Sequence, residues 1–198
     1  ERGLVMICFT LQSFDVVFKL IRDKFPYQKN ILREDVLNKY ELVFKHDRAG
    51  RLVDAQEFKL IKFPRSRFSA SLLEELQKEA ARTVHFEGDD LIIDHVYIER
   101  RMTPLNLYLR SASREDAEKA VIEYGQAIRD LAVTNIFPGD LLLKNFGVTR
   151  HGRVIFYDYD ELCLVTDCRF REIPQSQHDE DDMRADAWFY VGESDVFP

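Results

Sequence analysis

The spacing of two aspartates and one asparagine in the second half of the chain constrains its fold more than any other feature. Asp140 and Asn145 are separated by four residues, and Asp158 follows thirteen residues after Asn145. The apolar segments between them, Phe146 to Thr149 and Val154 to Tyr157, predict two short strands joined by a glycine-containing turn. Because such a unit folds the chain back on itself, we expect Asn145 and Asp158 to lie side by side.

The elements around this unit predict an α+β chain with a boundary between its halves near Arg100 to Leu105. Two apolar runs joined by a short polar turn, Leu4 to Thr10 and Phe14 to Ile21, predict an antiparallel hairpin. The other predicted elements are a helix that runs into a strand (Ile31 to His46), a helix capped by Ser69 (Ser69 to Arg82), one or two strands (Leu91 to Ile98) and a long helix (Ser113 to Thr134) whose apolar stripe is Ala117, Val121, Tyr124, Ile128 and Leu131.

Composition narrows the class of protein. The net charge of -7 argues against general nucleic-acid binding, which depends on a basic surface. The chain contains no apolar run of 18 residues, so we predict no transmembrane helix and no membrane partner. Three cysteines without CxxC spacing favour a reducing cytoplasm over a disulfide framework or a structural zinc site. The abrupt start and end are typical of a fragment of a longer protein.

The separations of Asp140, Asn145 and Asp158 are typical of the phosphoryl-transfer site of protein kinases. In that site the first aspartate accepts or orients the substrate hydroxyl, and the asparagine and second aspartate bind metal. Taken singly, Asp and Asn are more often turn or cap residues, and this alternative stays open for each of them. The three together favour the functional interpretation, with ATP and Mg²⁺ or Mn²⁺ as cofactors.

A lysine in the first predicted hairpin fits the same chemistry. Val16-Val17-Phe18-Lys19 matches the strand pattern whose lysine contacts the α- and β-phosphates of ATP. The alternative is an edge-strand lysine that faces water. Such a lysine is normally held by a glutamate on a helix, and the sequence does not choose among the candidates Glu34, Glu41 and Glu57.

Two further elements of a nucleotide site are only partly visible. Of the glycine-rich phosphate loop expected before Lys19, the sequence contains only Gly3. Either the loop is truncated in this chain or the protein departs from the pattern. The segment from Ile98 through Glu99 to Met102 follows a predicted strand at the position of an interlobe hinge. Its backbone could bind an adenine edge, so Glu99 and Met102 are candidate nucleotide-binding residues.

Longer strings carry a more specific resemblance. The runs Tyr97 to Asn106, Asn135 to Asp140, Lys144 to Arg153 and Phe156 to Glu161 resemble isocitrate dehydrogenase kinase/phosphatase, and the resemblance covers nearly the whole chain. It implies a bilobal protein-kinase-like fold. Residues 1–99 would form an N-lobe with an antiparallel sheet and a helix, and residues 100–198 a mainly helical C-lobe. The N-terminal regulatory domain that the family carries would be absent from this chain.

The resemblance also implies an activity. The family is a bifunctional ATP-dependent serine kinase and phosphatase that acts on isocitrate dehydrogenase and controls flux into the glyoxylate bypass. The phosphatase direction uses ATP or ADP at the same nucleotide site. AMP and metabolites are the expected effectors of the full-length enzyme, and a homodimer is left open.

The resemblance assigns roles to residues that match the family's motifs. It implies that Lys19 binds ATP, that Asp140, Asn145 and Asp158 occupy catalytic and metal positions, and that two further carboxylates belong to the site. Asp54 matches an active-site position and Asp160 a position linked to the phosphatase direction. The nucleotide-binding loop would be formed by Glu1, Arg2, Gly3 and Leu4.

Two alternatives remain at this point. One is a phosphotransferase of the same fold that acts on another acceptor, since fold and metal site do not fix the acceptor. The other is a nucleotide-binding pseudokinase-like module, which the reduced glycine-rich loop would favour.

Overall fold

The computed structural model describes residues 3–27, 31–46, 50–173, 189–192 and 194–197. Within these ranges the chain is α+β, as predicted, with four α-helices and a set of mainly antiparallel sheets. None of the helices in this part of the chain has both the length and the hydropathy that crossing a bilayer requires. The predicted nucleotide-loop residues Glu1 and Arg2 lie outside the described residues.

The main sheet has the order β1-β2-β5-β3, with β4 paired to one end of β5, and all its ladders are antiparallel. The first two strands form the predicted hairpin, which is confirmed. The predicted strand from Leu91 to Ile98 is one strand, β5, at the centre of the sheet. The strands are β1 (Met6–Thr10), β2 (Val16–Ile21), β3 (Ala55–Pro64), β4 (Val84–Glu87) and β5 (Asp90–Arg100).

Helix α1 (Arg33–His46) remains helical to its end, so the predicted passage into a strand is wrong. The reason is its apolar spacing. Val36, Tyr40 and Val43 recur at helical intervals and are all buried, which stabilises one continuous helix face. Helix α2 (Ala70–Glu79) begins at its predicted cap, where the Ser69 hydroxyl accepts a hydrogen bond from the Leu72 amide at 3.3 Å.

The long predicted helix is α4 (Arg114–Val133), capped by Ser113, and it follows the short helix α3 (Leu105–Ser111). Its apolar stripe is only partly as predicted. Leu131 is buried, whereas Val121 is 52% exposed. The two other residues that α4 buries are small ones, Ala120 and Ala127. Small residues allow the helix backbone to pack closely against the neighbouring strands. The prediction placed mainly large apolar residues on the buried face, so it missed these two alanines.

Strand β3 had no clear signal in the sequence. It is an edge strand, and most of its side chains are exposed, so it lacks the alternation that marks a half-buried strand. Leu60 within it has a positive φ of 56°, a conformation that is unusual for a leucine and that interrupts the regular pairing with β5.

The second half of the chain carries three small sheets. The predicted hairpin after Asn145 is confirmed as β8 and β9, with β6 added beside β8. The β7–β10 pair is antiparallel and the β11–β12 pair is parallel. The strands are β6 (Thr103–Pro104), β7 (Ile136–Phe137), β8 (Phe146–Val148), β9 (Val154–Phe156), β10 (Cys163–Leu164), β11 (Arg169–Phe170) and β12 (Asp195–Val196).

Two apolar clusters hold these elements together. The smaller one fills the space between the main sheet and α2. The larger one joins α1 and the end of β5 to α4 and the β8–β9 hairpin, so it contains buried residues such as Tyr40 and Tyr97 together with Phe146 and Phe156. This cluster crosses the predicted boundary between residues 99 and 100. It packs the strand that carries Lys19 against the hairpin that precedes Asp158.

Candidate active site

Lys19 lies on the interior strand β2, between β1 and β5, so the alternative of a water-facing edge lysine is wrong. Its ammonium group forms an ion pair with Glu99, with 2.7 Å between Lys19 Nζ and Glu99 Oε2. The two side chains are 11% and 3% exposed. The same Nζ donates a hydrogen bond to the Tyr157 carbonyl at 2.8 Å. The lysine is therefore fixed by one partner from the main sheet and one from the chain beside Asp158.

The glutamate that pairs with Lys19 is none of the three predicted candidates. Glu57 lies beside His95, with 3.0 Å between Glu57 Oε1 and His95 Nε2, and Glu41 pairs with Lys45 on the surface of α1. Glu34 lies exposed in the first turn of the same helix. The prediction is wrong because it assumed a glutamate on a helix, whereas the pairing of β2 with β5 brings Glu99 to Lys19.

Helix α1 still reaches the pair, through a tyrosine. The Tyr40 hydroxyl donates to Glu99 Oε1 at 3.3 Å, and its ring stacks on Tyr97 with 3.7 Å between ring centroids. Both oxygens of the Glu99 carboxylate are thus engaged, one by Lys19 and one by Tyr40. The Glu99 side chain binds Lys19, and its backbone lies between Val17 and Ala55 in the sheet, so the contact of Glu99 with an adenine stays a prediction.

The charge state of Lys19 follows from this environment. Burial is the largest single influence and opposes the charged form, but the hydrogen bond to Glu99 and the attraction of Glu99, Cys8 and Asp158 together outweigh it, so the pKa of Lys19 lies above its ordinary value. The negative charge of Asp158 acts in the same direction as Glu99. Lys19 is therefore a fixed cation at neutral pH, suited to binding phosphate oxygens.

Asp140 lies in a loop that its own side chain shapes. Asp140 Oδ1 accepts a hydrogen bond from the Leu142 amide at 2.9 Å, and the Asp140 carbonyl accepts one from Asn145 Nδ2 at 3.3 Å. Both side chains thus stabilise the turn, as Asp and Asn commonly do, but each does so with only one of its polar atoms. Asp140 keeps a second carboxylate oxygen, and Asn145 keeps its amide oxygen, which is the atom that a metal would bind.

Gly139 makes this loop possible. Its φ is +81°, and a Cβ built on it would lie 2.6 Å from Glu161 Cβ and even closer to the Glu161 carbonyl oxygen. Only glycine satisfies both the backbone conformation and the close packing. The residue before Asp140 is therefore pressed against the segment that follows Asp160.

The β8–β9 hairpin brings Asn145 next to the segment of Asp158, as predicted. Phe146 pairs with Phe156, and the Tyr157 amide donates to the Asn145 carbonyl at 3.1 Å. The Tyr157 carbonyl accepts from Lys19. The backbone of Tyr157 therefore links Lys19 to Asn145, and Asp158 is the next residue along the chain. Burial, followed by the nearby charge of Asp158, raises the pKa of Tyr157 to about 12.

Asp54 joins the same region through its own segment of backbone. Leu52 forms a parallel bridge with Phe156, and the Tyr159 hydroxyl donates to the Val53 carbonyl at 2.9 Å. Asp54 itself is exposed. Asp160 is half-buried in the turn after Tyr159, before β10. The structure thus brings the segments of Asp54, Asp158 and Asp160 together.

The remaining predicted nucleotide contacts lie at the margins. Gly3 and Leu4 are exposed, and the Gly3 carbonyl accepts from Arg22 Nε at 3.0 Å. Met102 packs directly on Gly147, because a Cβ at Gly147 would lie 2.8 Å from Met102 Cβ. The role of Gly3, Leu4 and Met102 in nucleotide binding stays a prediction.

The described residues contain no group of three or more His, Cys, Asp or Glu side chains arranged to hold a metal by themselves. Magnesium does not require such a group, because it is usually bound by one or two protein ligands together with phosphate oxygens and water. The amide oxygen of Asn145 and the carboxylate of Asp158 are hard oxygen donors of the kind this mode of binding uses. The donor set therefore fits Mg²⁺ or Mn²⁺ bound with a nucleotide.

Comparison with known protein families shows the class of protein to which the chain belongs. A model for a kinase domain matches the whole chain, residues 1–198. That model describes the isocitrate dehydrogenase kinase/phosphatase (AceK) kinase domain, and the chain belongs to this family. The predicted resemblance is confirmed.

Relatives named isocitrate dehydrogenase kinase/phosphatase share about half of their aligned residues with the chain. The protein of Anaeromyxobacter sp. (strain Fw109-5) is 55% identical over 198 residues, that of Xanthomonas axonopodis pv. citri (strain 306) 56% over 196, and that of Methylibium petroleiphilum (strain ATCC BAA-1232 / LMG 22953 / PM1) 52% over 197. These alignments cover 99–100% of the chain but only 32–34% of each relative. The chain thus spans about a third of their length.

Sequence reasoning missed three residues that the geometry makes central. Tyr40 donates a hydrogen bond to Glu99, and Glu99 pairs with Lys19. Arg51 is buried and forms ion pairs with helix α4. The one usable signal was Arg51. It directly follows a glycine turn and precedes the apolar pair Leu52-Val53, where a charged residue that is buried must find partners.

Proposed function

We propose that the full-length protein containing this chain is a bifunctional ATP-dependent serine kinase and phosphatase that acts on isocitrate dehydrogenase and controls flux into the glyoxylate bypass. The observation that carries the proposal is the convergence on Tyr157, whose backbone bonds to both Lys19 and Asn145 and leads into Asp158. A family membership over all 198 residues supports the identity of the acceptor.

In this proposal the chain forms a bilobal protein-kinase-like domain, with an N-lobe at 1–99 and a C-lobe at 100–198. Lys19 contacts the α- and β-phosphates of ATP, and the backbone near Glu99 and Met102 binds the adenine. Residues 1–4 cover the phosphates. Asn145 and Asp158 hold Mg²⁺ or Mn²⁺, which neutralises charge on the phosphates when it is bound.

In the kinase direction, Asp140 accepts the proton of the substrate serine hydroxyl. The serine oxygen then forms a bond to the γ-phosphorus as the bond between that phosphorus and the bridging oxygen of ADP breaks. Most of the catalysis in such a transfer comes from placing the reactants and from electrostatic stabilisation. The fixed cation Lys19 and the loop of Asp140, shaped by its own hydrogen bonds, supply both.

In the phosphatase direction, a water molecule attacks the phosphorus of phosphoserine, and serine and inorganic phosphate are released. Hydrolysis needs a group that positions or deprotonates this water. We assign this role to the carboxylates of Asp54, whose segment is bridged to Phe156, and of Asp160, which lies two residues beyond Asp158. ATP or ADP occupies the same nucleotide site in this direction.

The proposal extends to the setting of the enzyme. The described cysteines Cys8, Cys163 and Cys168 are all free thiols, which is consistent with a reducing cytoplasm. AMP and metabolites would act as effectors in the full-length protein, and a homodimer is a form to examine by measuring its molecular mass in solution.

The test is to incubate the full-length protein with purified isocitrate dehydrogenase and γ-³²P-labelled ATP. We expect label on a serine of the dehydrogenase, and its release when ADP is then supplied without further labelled ATP. Asp140→Asn should lower the rate of labelling by about 10² to 10⁴-fold and leave ATP binding intact. Label on a small molecule instead would show another acceptor. ATP binding without transfer to any acceptor would show a pseudokinase-like module.

A further inference from the structure

Arg51 is a buried cation outside the set of residues that the proposed reaction uses. It is 4% exposed and makes two ion pairs with helix α4, each with an N–O distance of 2.7 Å, one from Nε to Asp130 Oδ2 and one from Nη1 to Glu123 Oε2. Nη1 also donates to the Val154 carbonyl on β9 at 3.2 Å. The guanidinium group therefore joins α4 to β9.

The spacing of the two acids explains why an arginine occupies this position. Glu123 and Asp130 are seven residues apart on α4, so they lie on the same helix face, two turns apart. The planar fork of a guanidinium can bind both carboxylates at once, whereas the compact ammonium of a lysine is a single point charge. The two carboxylates are 35% and 31% exposed, and ion pairs of this kind are weak evidence for a gain in stability.

The backbone of Arg51 pairs with the same strand. The Phe156 amide donates to the Arg51 carbonyl at 2.8 Å, and the Val53 amide donates to the Phe156 carbonyl at 3.0 Å. These two bonds form the parallel bridge between Leu52 and Phe156. Residues 51–53 are thus a short parallel strand added beside β9.

The register of this bridge has a direct consequence for the acids. Asp54 lies two residues beyond Leu52, and Asp158 lies two residues beyond Phe156. Because the two segments run in the same direction, Asp54 and Asp158 each follow the bridge by the same number of residues, on neighbouring segments of chain. The bond from the Tyr159 hydroxyl to the Val53 carbonyl holds the two segments together just past this point.

We infer that Arg51 is a positioning residue that sets Asp54 against Asp158 by anchoring the added strand to α4 and β9. The inference rests on the proposed function for the roles of the two aspartates. It goes beyond that function because it assigns their mutual placement to a residue that touches neither substrate nor metal.

The test is a double-mutant cycle in the full-length protein, with Arg51→Met, Asp54→Asn and the two combined. We expect Arg51→Met to lower kcat by at least about tenfold in the reaction that Asp54 serves, because small misplacements of reacting groups are costly. The KM for ATP should change less than about twofold, since Lys19 is held separately. The combined variant should be no slower than Asp54→Asn alone.

Two further variants separate positioning from general damage. Arg51→Lys keeps the charge but can bind only one of the two carboxylates well, so we expect kcat between that of the wild type and that of Arg51→Met. Arg114→Met removes an exposed arginine that pairs with Glu118 on the same helix, and it should leave kcat unchanged.

Hydrogen exchange provides a readout that does not depend on activity. In Arg51→Met, the peptides containing the amides of Val53 and Phe156 should exchange at least about tenfold faster relative to the rest of the protein, while Arg114→Met should match the wild type. Unchanged exchange at these amides overturns the inference, whatever the activity. Independent, multiplicative effects of Arg51→Met and Asp54→Asn on kcat also overturn it. A wild-type protein that labels no serine contradicts the proposed function instead, and the exchange result still decides the placement.

Discussion

Lys19 on β2 and Glu99 on β5 form a buried ion pair that helix α1 contacts through the hydroxyl of Tyr40. The strand order β1-β2-β5 places the glutamate in the same sheet as the lysine. A change in the position of α1 would therefore act on Lys19 through a tyrosine hydrogen bond and not by withdrawing the carboxylate. The Lys19–Glu99 pair is set by the sheet, because both residues lie on paired strands of it.

Replacing Glu99 tests this arrangement. Glu99→Gln removes the charge that offsets the burial of Lys19, so we expect the free energy of unfolding to fall by about 3 kcal/mol and the affinity for ATP to fall about tenfold. Urea unfolding and calorimetric titration with ATP measure the two effects. Glu57→Gln, on the exposed edge strand, is the control and should change neither by a comparable amount. Unchanged ATP affinity in Glu99→Gln would contradict the assigned role of the pair.

Asp158 should control the metal requirement. Asp158→Asn replaces a carboxylate with a weaker neutral oxygen ligand, so we expect the Mg²⁺ concentration that half-saturates ATP binding to rise at least about tenfold. Nucleotide-dependent thermal shift at a series of Mg²⁺ concentrations measures it. The exposed Asp167 provides the control variant Asp167→Asn. An unchanged Mg²⁺ dependence would remove Asp158 from the metal site.

Asp160 should separate the two directions of the reaction. Asp160→Ala removes a carboxylate assigned to the hydrolytic water, so we expect the phosphatase rate to fall by about 10²-fold or more and the kinase rate to change far less. Both rates are measured on isocitrate dehydrogenase, with labelled ATP in one direction and labelled phosphoserine protein in the other. If both activities survive intact, Asp160 has no part in the chemistry.

The close packing of Gly139 predicts a difference between two glycines. Gly139 and Gly152 have φ values of +81° and +78°, but only at Gly139 would a Cβ meet another atom, on Glu161. Gly152→Ala should cost about 1–2 kcal/mol of unfolding free energy from backbone strain alone. Gly139→Ala should cost at least about 1 kcal/mol more and should also slow phosphoryl transfer, because the loop of Asp140 must shift. Equal costs would show that the contact with Glu161 is easily relieved.

The Arg51 network predicts a pH dependence. Hydrogen bonds from Arg51 hold the pKa values of Glu123 and Asp130 below their ordinary values. A carboxylate whose pKa is lower in the folded state stabilises the fold above its unfolded pKa, and this contribution is lost as the pH falls through the folded value. We therefore expect the stability of the wild type to fall more steeply below about pH 4.5 than that of Arg51→Met. Urea unfolding between pH 7 and pH 3 measures both curves, and parallel curves would contradict the prediction.

The sequence predicted what depends on local pattern. The β1–β2 hairpin, the cap of α2 at Ser69 and the return of the chain between Asn145 and Asp158 all follow from periodicity and turn chemistry within a few residues. The family resemblance added the positions of the acids. The prediction of Glu34, Glu41 or Glu57 as the partner of Lys19 failed because sheet order is a long-range property that no local pattern encodes.

Two other features could not be predicted from the sequence, each for a different physical reason. Strand β3 has most of its side chains in water, so its sequence carries no alternation. The place of Arg51 before Leu52-Val53 hints that it is buried, but its partners Glu123 and Asp130 on α4 are far away in the sequence. In both cases the determining contacts come from residues more than twenty-five positions away along the chain.

The hydrogen bond from Lys19 to the Tyr157 carbonyl joins residues 138 positions apart, which bears on how the protein is made. A nascent chain can pair β2 with β5 once residue 100 has left the ribosome, but the carbonyl that completes the setting of Lys19 emerges more than fifty residues later. Contacts of such sequence separation form slowly, because a long loop must close first. During synthesis the sheet is therefore available before the site, and the apolar faces that later pack on the β8–β9 hairpin stay uncovered until the chain beyond Phe156 arrives.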